Sequence, residues 1–167
     1  RLIAANRLNG YDEFFVIGAY GSELESVHAR PPVTSLASLR GKKIRSNNST
    51  ESVVLEKLGM QAVVMPVNTT SEAISSGEVD GAAVPASMLF EFGIARVATY
   101  HYALPISPAP LALLVNRKKY DALPAPAREI IRRHSGEWAA ARFIEARSAT
   151  ENQIIAQLKS DARRKVI

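Results

Sequence analysis

The feature that most constrains the fold is a regular alternation of strand-like and helix-like segments between residues 42 and 93. Apolar runs of strand length occupy residues 42–46, 61–67 and 79–85. Each is followed by a segment with helical spacing, at residues 49–58, 69–77 and 86–92, and a glycine marks the end of each one. This alternation predicts an α/β layer of parallel strands joined by right-handed crossovers.

The segments on either side complete the pattern. Strands are predicted at residues 14–20, 26–30 and 97–102, and also at 111–117, where the near-continuous apolar run LALLVNR is typical of a strand buried on both faces. Asn48 with Glu51, and Thr69 with Glu72, predict two helix N-terminal capping boxes. Beyond Pro126 the pattern is helical almost to the end, whereas the proline-rich residues 104–110 predict a stiff extended linker between two lobes.

Composition excludes several classes of protein. The 167 residues are 47% hydrophobic and 22% charged, as in a folded water-soluble protein, and no run has the length of a membrane span. The net charge of +5 is concentrated in residues 117–167, where interspersed glutamates favour a solvated helix face over a nucleic-acid-binding stripe. There is no cysteine for disulfides or thiolate metal sites. Because the chain opens with arginine, we expect an N-terminal part, with any targeting signal, to precede it.

Signatures of catalysis are missing. No nucleophile elbow, phosphate loop or dinucleotide fingerprint occurs, and none of the three histidines has a partner at metal-ligand spacing. His101 is expected to be a packed or hydrogen-bonded strand residue. Asp80 is expected to be a turn residue that caps backbone N–H groups beside Gly81. The sequence therefore predicts no enzyme, no metal and no cofactor.

The segment GKKIRSN, residues 41–47, contains the strongest candidate for ligand binding. In a strand here, Ile44 points to one face while Arg45 projects from the other at the carboxyl end. That end of an open α/β sheet is where ligands bind, and the N-terminus of the next helix favours an anion there. The planar guanidinium also matches a carboxylate with two parallel hydrogen bonds. From the residues alone, ligand anchoring and a surface ion pair are equally good readings.

Five motifs in order resemble the solute-binding proteins of TRAP transporters, the DctP-type receptors for organic acids. The resemblance extends from about Pro32 to about Ala162, and its motifs are PVTSLASLRGKKIRSNNST, EKLGMQAVVMPV, EAISSGEVDGAAVP, ATYHYAL and LLVNRKKYDALPAPAREII.

The resemblance implies a periplasmic binding protein type II-like fold with two α/β lobes that close on a small organic acid and deliver it to the membrane subunits of a TRAP transporter. The chain is then mainly the second lobe with crossing strands and long C-terminal helices. The expected parts are the end of the first lobe with a crossing strand, the second lobe, a return strand and helices that pack across the lobes, at residues 1–20, 21–104, 105–123 and 124–167. The implied location is the periplasm.

The same resemblance implies the site residues. Arg45 corresponds to the arginine that holds the ligand carboxylate. A gap-free count places Glu25 where a second arginine or polar group often stands, and Val84 where some members have asparagine. These two residues favour a monocarboxylate with an apolar or aromatic body over a hydroxylated acid or a dicarboxylate, unless Glu25 accepts a ligand amine or hydroxyl. The other residues expected to line the pocket are polar ones after two strands: Asn47, Asn48, Ser49, Thr69 and Thr70.

Three other functions remain open from the sequence. An effector-binding domain of a transcriptional regulator has a similar two-lobed plan, and it predicts a helix-turn-helix in the preceding residues. An α/β enzyme would use Asp80 or His101. Nucleic-acid binding through the basic C-terminal helices predicts an affinity that falls steeply with salt.

Overall fold

The computed structural model describes residues 10–106 and 110–167. Within these residues there are eight strands: β1 Phe14–Gly21, β2 Ser26–Ala29, β3 Lys43–Ser46, β4 Gln61–Val64, β5 Gly81–Val84, β6 Tyr100–Tyr102, β7 Pro110–Asn116 and β8 Lys165–Val166. The α-helices are α1 Ser49–Lys57, α2 Thr70–Ser76, α3 Met88–Glu91, α4 Arg117–Asp121, α5 Ala125–Arg133 and α6 Glu137–Ser160. The chain divides into two compact units: Arg1–Ser22 with Ala109–Ser148, and Glu23–Pro108 with Ala149–Ile167.

The second unit is built on a six-stranded sheet with the order β4-β3-β5-β2-β6-β8. Strands β4, β3 and β5 are parallel, as the alternation of segments predicts. Strand β2, which precedes the alternating segments, is antiparallel to both β5 and β6, so the complete sheet is mixed. The alternation begins only at residue 42, and strands outside it need no helical crossover, so their direction was not encoded in the pattern.

Two apolar clusters cover the two faces of this sheet. Because side chains alternate along a strand, Ile44, Ala29 and Ala83 pack in one cluster with Leu39 and Leu55. Ala82 and Val84 pack on the opposite face, where α2, α3 and the end of α6 supply apolar side chains that include Ile74, Leu89 and Leu158. Burial on both faces makes this sheet the rigid platform on which its edge residues are held.

The first unit contains a two-stranded antiparallel sheet of β1 and β7, the helices α4 and α5, and the first part of α6. Phe15 stacks on Tyr120 at 3.9 Å between ring centroids, and Tyr20 stacks on Phe143 at 5.0 Å. The prediction that residues 111–117 form a strand buried on both faces is half wrong. The strand exists, but Leu111 and Leu113 are 37% and 41% exposed because, among the described residues, it pairs with β1 alone.

The end of the chain also departs from expectation. The long helix ends at Ser160, and β8 then pairs in parallel with β6, a strand that the sequence analysis missed. Two residues of strand are too short to carry a readable alternation. The proline-rich linker predicted at residues 104–110 lies partly outside the described residues, at positions 107–109. No helix within residues 10–106 and 110–167 combines the length and apolar character needed to cross a membrane.

Candidate functional site

Polar side chains collect at one edge of the six-stranded sheet, and the direction of the strands explains why. Parallel strands β3, β4 and β5 end at this edge. Strand β2 begins there because it runs antiparallel, with Ser26 opposite Val84. Glu25, the residue before β2, therefore comes to the edge where Arg45 ends its strand, although the two lie 20 positions apart in the sequence.

Arg45 is 2% exposed, and its guanidinium is bonded to uncharged oxygens. Nε donates to the carbonyl of Met65 at 3.0 Å, one terminal nitrogen donates to the carbonyl of Ala83 at 3.4 Å, and the other donates to Asn47 Oδ1 at 3.2 Å. A guanidinium has five N–H groups, so two remain without an acceptor among the described residues. Burial is the main influence on its pKa, which it lowers, whereas the charges of Glu51 and Glu25 raise that pKa.

Glu51 lies in the first turn of α1 and joins this helix to the end of β3. Its Oε2 accepts a hydrogen bond from the backbone N–H of Asn47 at 2.6 Å. Its own N–H donates to Asn48 Oδ1 at 3.0 Å, so Asn48 caps the helix as predicted. In the expected capping box, the side chain of Glu51 would accept a hydrogen bond from the N–H of Asn48. In the structure it accepts from the N–H of Asn47 instead. The negative charge at a helix N-terminus is favourable, which explains how a carboxylate that is 4% exposed is retained there.

Glu25 completes the group of buried ionisable residues. It is 6% exposed. Burial first, then a side-chain hydrogen bond with Glu51 and the charge of Glu51, raise the pKa of Glu25 to about 9, while Arg45 acts in the opposite direction. Arg45, Glu25 and Glu51 thus form a buried cluster at the carboxyl edge of the parallel strands, called the edge cluster below.

The remaining predicted residues lie at or near this edge but differ in their surroundings. Asn47, Asn48 and Ser49 are exposed at the start of α1. Thr70 is fully buried, and its hydroxyl donates to the carbonyl of Pro66, as does the hydroxyl of exposed Thr69. The predicted capping box at Thr69 is wrong, because Thr69 has a helical backbone within a 3-10 turn and makes no cap.

Val84 is fully buried. Its side chain packs in the apolar cluster that contains Leu158. The carbonyl of Val84 accepts a hydrogen bond from His28 Nε2 at 3.2 Å.

Sequence reasoning missed Glu51 as a member of the site, and it missed the carbonyls of Met65 and Ala83. The sequence pattern places Glu51 only in a helix cap. The sequence does contain a signal for Glu51. It lies in the first turn of a helix, six residues after the arginine that ends the preceding strand, and the first turn of such a helix must lie beside the end of that strand. Backbone carbonyls leave no mark in a sequence.

The histidines and Asp80 have structural roles. His28 and His101 face each other on β2 and β6 with 2.9 Å between their Nδ1 atoms, and both are 2% exposed. This agrees with the expectation of a hydrogen-bonded strand residue at position 101. Asp80 Oδ2 accepts from the backbone N–H of Lys43 at 2.8 Å, so it caps a neighbouring strand instead of its own turn.

The edge cluster contains a guanidinium and two carboxyl groups, and two N–H groups of the guanidinium are available for further hydrogen bonds. Among the described residues, no group of three or more His, Cys, Asp or Glu side chains is arranged to hold a metal ion. The arrangement of a buried guanidinium with unused N–H groups beside a helix N-terminus suits the capture of an anion.

A mixed α/β sheet with charged groups at the carboxyl ends of its parallel strands is typical of proteins that bind a ligand at that edge. The buried guanidinium at this edge indicates an anionic ligand. Comparison with known families makes this specific. Residues 6–167 match the family described as bacterial extracellular solute-binding protein, family 7, of the DctP type. The chain belongs to this family.

Solved structures of TRAP solute-binding proteins have the same fold. One from an unidentified marine microbe, specific for aromatic acid ligands and bound to metahydroxyphenylacetate, is 24% identical, with a TM-score of 0.85 over 98% of this chain and 52% of that one. One from Rhodoferax ferrireducens with benzoate is 22% identical, with a TM-score of 0.84 over 95% and 51%. One from Xanthobacter autotrophicus with β-D-galacturonate is 23% identical, with a TM-score of 0.80 over 99% and 56%. The chain spans about half the length of these proteins.

Proposed function

We propose that this chain is part of a periplasmic receptor that binds a small organic acid between two lobes and delivers it to the membrane subunits of a TRAP transporter. Membership of the solute-binding family supports the receptor role, and relatives of the same fold bind carboxylic acids. The proposal includes the division of the chain at residues 1–20, 21–104, 105–123 and 124–167 into lobes and connections. It assigns no catalytic step to the protein.

The observation that carries the proposal is the state of Arg45. A buried arginine normally pairs with a carboxylate, because an isolated buried charge is costly. Here the guanidinium has neutral acceptors for three N–H groups and no carboxylate within ion-pair distance among the described residues. A ligand carboxylate that accepts from the two remaining N–H groups would complete its coordination. The carbonyls of Met65 and Ala83 hold the guanidinium in place for that contact.

The other predicted residues take supporting roles in this proposal. Asn47 orients the guanidinium through its Oδ1, and Asn48 and Ser49 begin the helix whose N-terminus favours the anion. Thr69 and Thr70 belong to the turn after β4, which fixes the position of Met65 through Pro66. Ligand contact by Val84 stays a prediction of the sequence, since its side chain belongs to the apolar cluster in this structure.

The ligand that we favour is a monocarboxylate with an apolar or aromatic body. Glu25 and Glu51 already place two carboxyl groups near Arg45, so a second ligand carboxylate would meet like charge there. The relatives bind both aromatic acids and a uronate, so the family allows either class.

Calorimetry on the complete protein tests the role of Arg45. The probes are benzoate, metahydroxyphenylacetate and galacturonate, with benzamide as an uncharged match for benzoate. We expect a carboxylate to bind and benzamide to fail. Because truncation of a buried charge pair costs about 2 to 5 kcal/mol, Arg45→Ala is expected to weaken carboxylate binding by about thirtyfold or more.

Arg40→Ala is the matched control, because this exposed arginine precedes the same strand. Arg45→Lys keeps the charge but loses the planar fork, and it distinguishes lost recognition from lost folding, which circular dichroism monitors. Carboxylate affinity within a few-fold of the wild type in both Arg45 variants would contradict the proposed function.

A further inference from the structure

The edge cluster contains one more carboxyl group than a simple cation-carboxylate pair needs. Glu25 reaches it from the start of β2, Glu51 from the first turn of α1, and Arg45 from the end of β3, and all three are more than nine-tenths buried. If both carboxyls were ionised, the cluster would carry a net negative charge at the place where the proposed ligand brings another. Repulsion between buried like charges disfavours that state.

The hydrogen bonds of Glu51 indicate where a proton lies. Its Oε2 accepts from the backbone N–H of Asn47, but its Oε1 is buried and receives no N–H or hydroxyl group from the described residues. Glu25 brings a second buried carboxyl group to the same edge, where Oε1 of Glu51 has no donor. A proton on one of the two carboxyl groups can supply that donor, because an ionised carboxylate only accepts.

Glu25 is the better carrier of this proton. Glu51 already accepts a hydrogen bond from the Asn47 N–H group and lies in the first turn of α1, where a negative charge is favourable. Glu25 directly precedes strand β2 and does not lie at the N-terminus of a helix. The charged groups that affect the pKa of Glu25 are Glu51 and Arg45. Glu151, on α6, is affected by the charge of Glu23 instead. Burial, the first cause, raises the pKa of Glu25 to about 9.

We infer that Glu25 is a specificity-determining residue whose proton, shared with Glu51, keeps the edge cluster neutral overall and thereby open to a carboxylate ligand. With the proton in place, the single charge of Glu51 balances that of Arg45, and Arg45 can attract an anion. Without it, the cluster is an anion itself and rejects one. This inference rests on the proposed function, which supplies the carboxylate.

The first consequence concerns the pH dependence of binding. If only the protonated cluster accepts a carboxylate, the affinity is constant up to the pKa of Glu25 and then falls by about tenfold for each pH unit. Benzoate stays ionised and Arg45 stays charged throughout this range, so neither produces the fall.

The test is calorimetry with benzoate on the complete protein between pH 7 and pH 10, or with the tightest carboxylate from the panel above if benzoate does not bind. We expect the wild type to lose about tenfold in affinity by pH 10. Glu25→Gln, which is permanently neutral and has nearly the same shape, is expected to bind with the same affinity at both ends of the range. Glu51→Gln leaves a single carboxyl group beside Arg45, so its cluster cannot become an anion and is expected to keep its carboxylate affinity up to pH 10. Glu56→Gln, an exposed glutamate on the same helix, is the matched control and is expected to follow the wild type.

A second measurement needs no ligand and separates this inference from the proposed function. The folded state holds the proton of Glu25 up to about pH 9, whereas the unfolded chain releases it near the ordinary pKa of 4.5. The unfolding constant of the wild type relative to Glu25→Gln should therefore rise with pH between these values, approaching tenfold for each unit. Urea denaturation of both proteins at pH 6 and pH 8 measures this ratio.

The outcomes distinguish the two claims. A ratio that does not change with pH overturns the shared proton, whatever binds. A changing ratio together with wild-type affinity that is flat to pH 10 overturns its role in specificity. Absence of carboxylate binding at every pH contradicts the proposed function and the ligand part of the inference together, while the denaturation result still decides the shared proton.

Discussion

At the scale of single residues, Gly81 is required by the close approach of two strands. A Cβ atom added there would lie 2.4 Å from the carbonyl oxygen of His28 and 2.9 Å from Ala29 Cα, both of which belong to backbone. Because backbone in the centre of a sheet cannot move aside locally, we expect Gly81→Ala to lower the free energy of unfolding by about 3 kcal/mol or more. Urea denaturation of the complete protein measures the loss.

Gly41→Ala is the control for Gly81→Ala. An added Cβ at Gly41 meets no atom within 4 Å, but its φ of +73° is unfavourable for alanine. That substitution is expected to cost about 1 kcal/mol from backbone strain alone. Equal losses in the two variants would show that the contact with His28 does not determine the cost at Gly81.

Arg45 shows how far sequence reasoning reaches at this scale. Alternation along KKIRS correctly predicted that Ile44 anchors the core and that Arg45 lies on the opposite face, since strand geometry alone decides it. The same reasoning gave no indication that Arg45 is only 2% exposed. Its guanidinium is bonded to the carbonyls of Met65 and Ala83, which come from two other segments, and no local pattern encodes contacts between distant segments.

At the scale of elements, the cap of α1 makes a testable contribution. Asn48 Oδ1 accepts from the N–H of Glu51, a group that would otherwise have no partner at the helix start. We expect Asn48→Ala to lower the free energy of unfolding by about 1 kcal/mol, and Asn48→Asp, which keeps the acceptor, to lower it by less. Ser49→Ala at the next position is the control, because the Ser49 side chain is exposed and makes no cap. The idea fails if Asn48→Ala and Ser49→Ala denature at the same urea concentration.

The pairing of β2 with β6 predicts how stability depends on pH. His28 Nε2 bonds a carbonyl and must carry a hydrogen, so the neutral ring accepts at Nδ1 from His101 Nδ1–H. His101 Nε2 is then a buried acceptor without a partner. Burial, followed by the charge of the facing His101, lowers the pKa of His28 to about 3. Burial, followed by Arg164, lowers the pKa of His101 to about 4.

Both folded pKa values lie below the unfolded value of 6.5, so this contribution to stability is complete above pH 6.5 and is lost as pH falls toward 4. Each histidine contributes about 1 kcal/mol of loss per pH unit in that window. The double variant His28→Leu, His101→Leu should therefore lose less stability than the wild type between pH 7 and pH 5, as measured by urea denaturation. His134→Leu, at an exposed position on a helix end, should lose as much as the wild type. Parallel losses in the wild type and the double variant would contradict the neutral pair.

The order of elements was largely predictable, and so were the directions of β3, β4 and β5, whereas the direction of β2 was not. The segments from β3 to α3 follow the predicted order because apolar runs, caps and terminal glycines agree with one another there. Nothing in the sequence of β2 indicates that this strand lies between β5 and β6. This matters for the site, since only an antiparallel β2 brings Glu25 to the edge with Arg45 and Glu51.

At the scale of the whole chain, the two units differ in how well their sheets are covered. In the second unit, β5 has hydrogen-bonded neighbours on both sides, and all four of its residues are buried. In the first unit, β1 and β7 have only each other among the described strands, and large apolar side chains of β7 remain exposed. Two-stranded sheets are marginally stable in water, so the local stability of the two units should differ.

Hydrogen exchange on the 167-residue chain measures this difference directly. We expect peptides that contain β1 or β7 to exchange about tenfold or more faster than peptides that contain β5, because opening β7 breaks one strand pairing and exposes little additional apolar surface. Opening β5 breaks two pairings and exposes both apolar clusters. The β6 peptide is an internal control, since its strand also has two neighbours, β2 and β8, and it should exchange like β5. If β7 is instead as protected as β5, then the number of paired strands does not set local stability in this chain, and the stacked pairs Phe15–Tyr120 and Tyr20–Phe143 hold the first unit together.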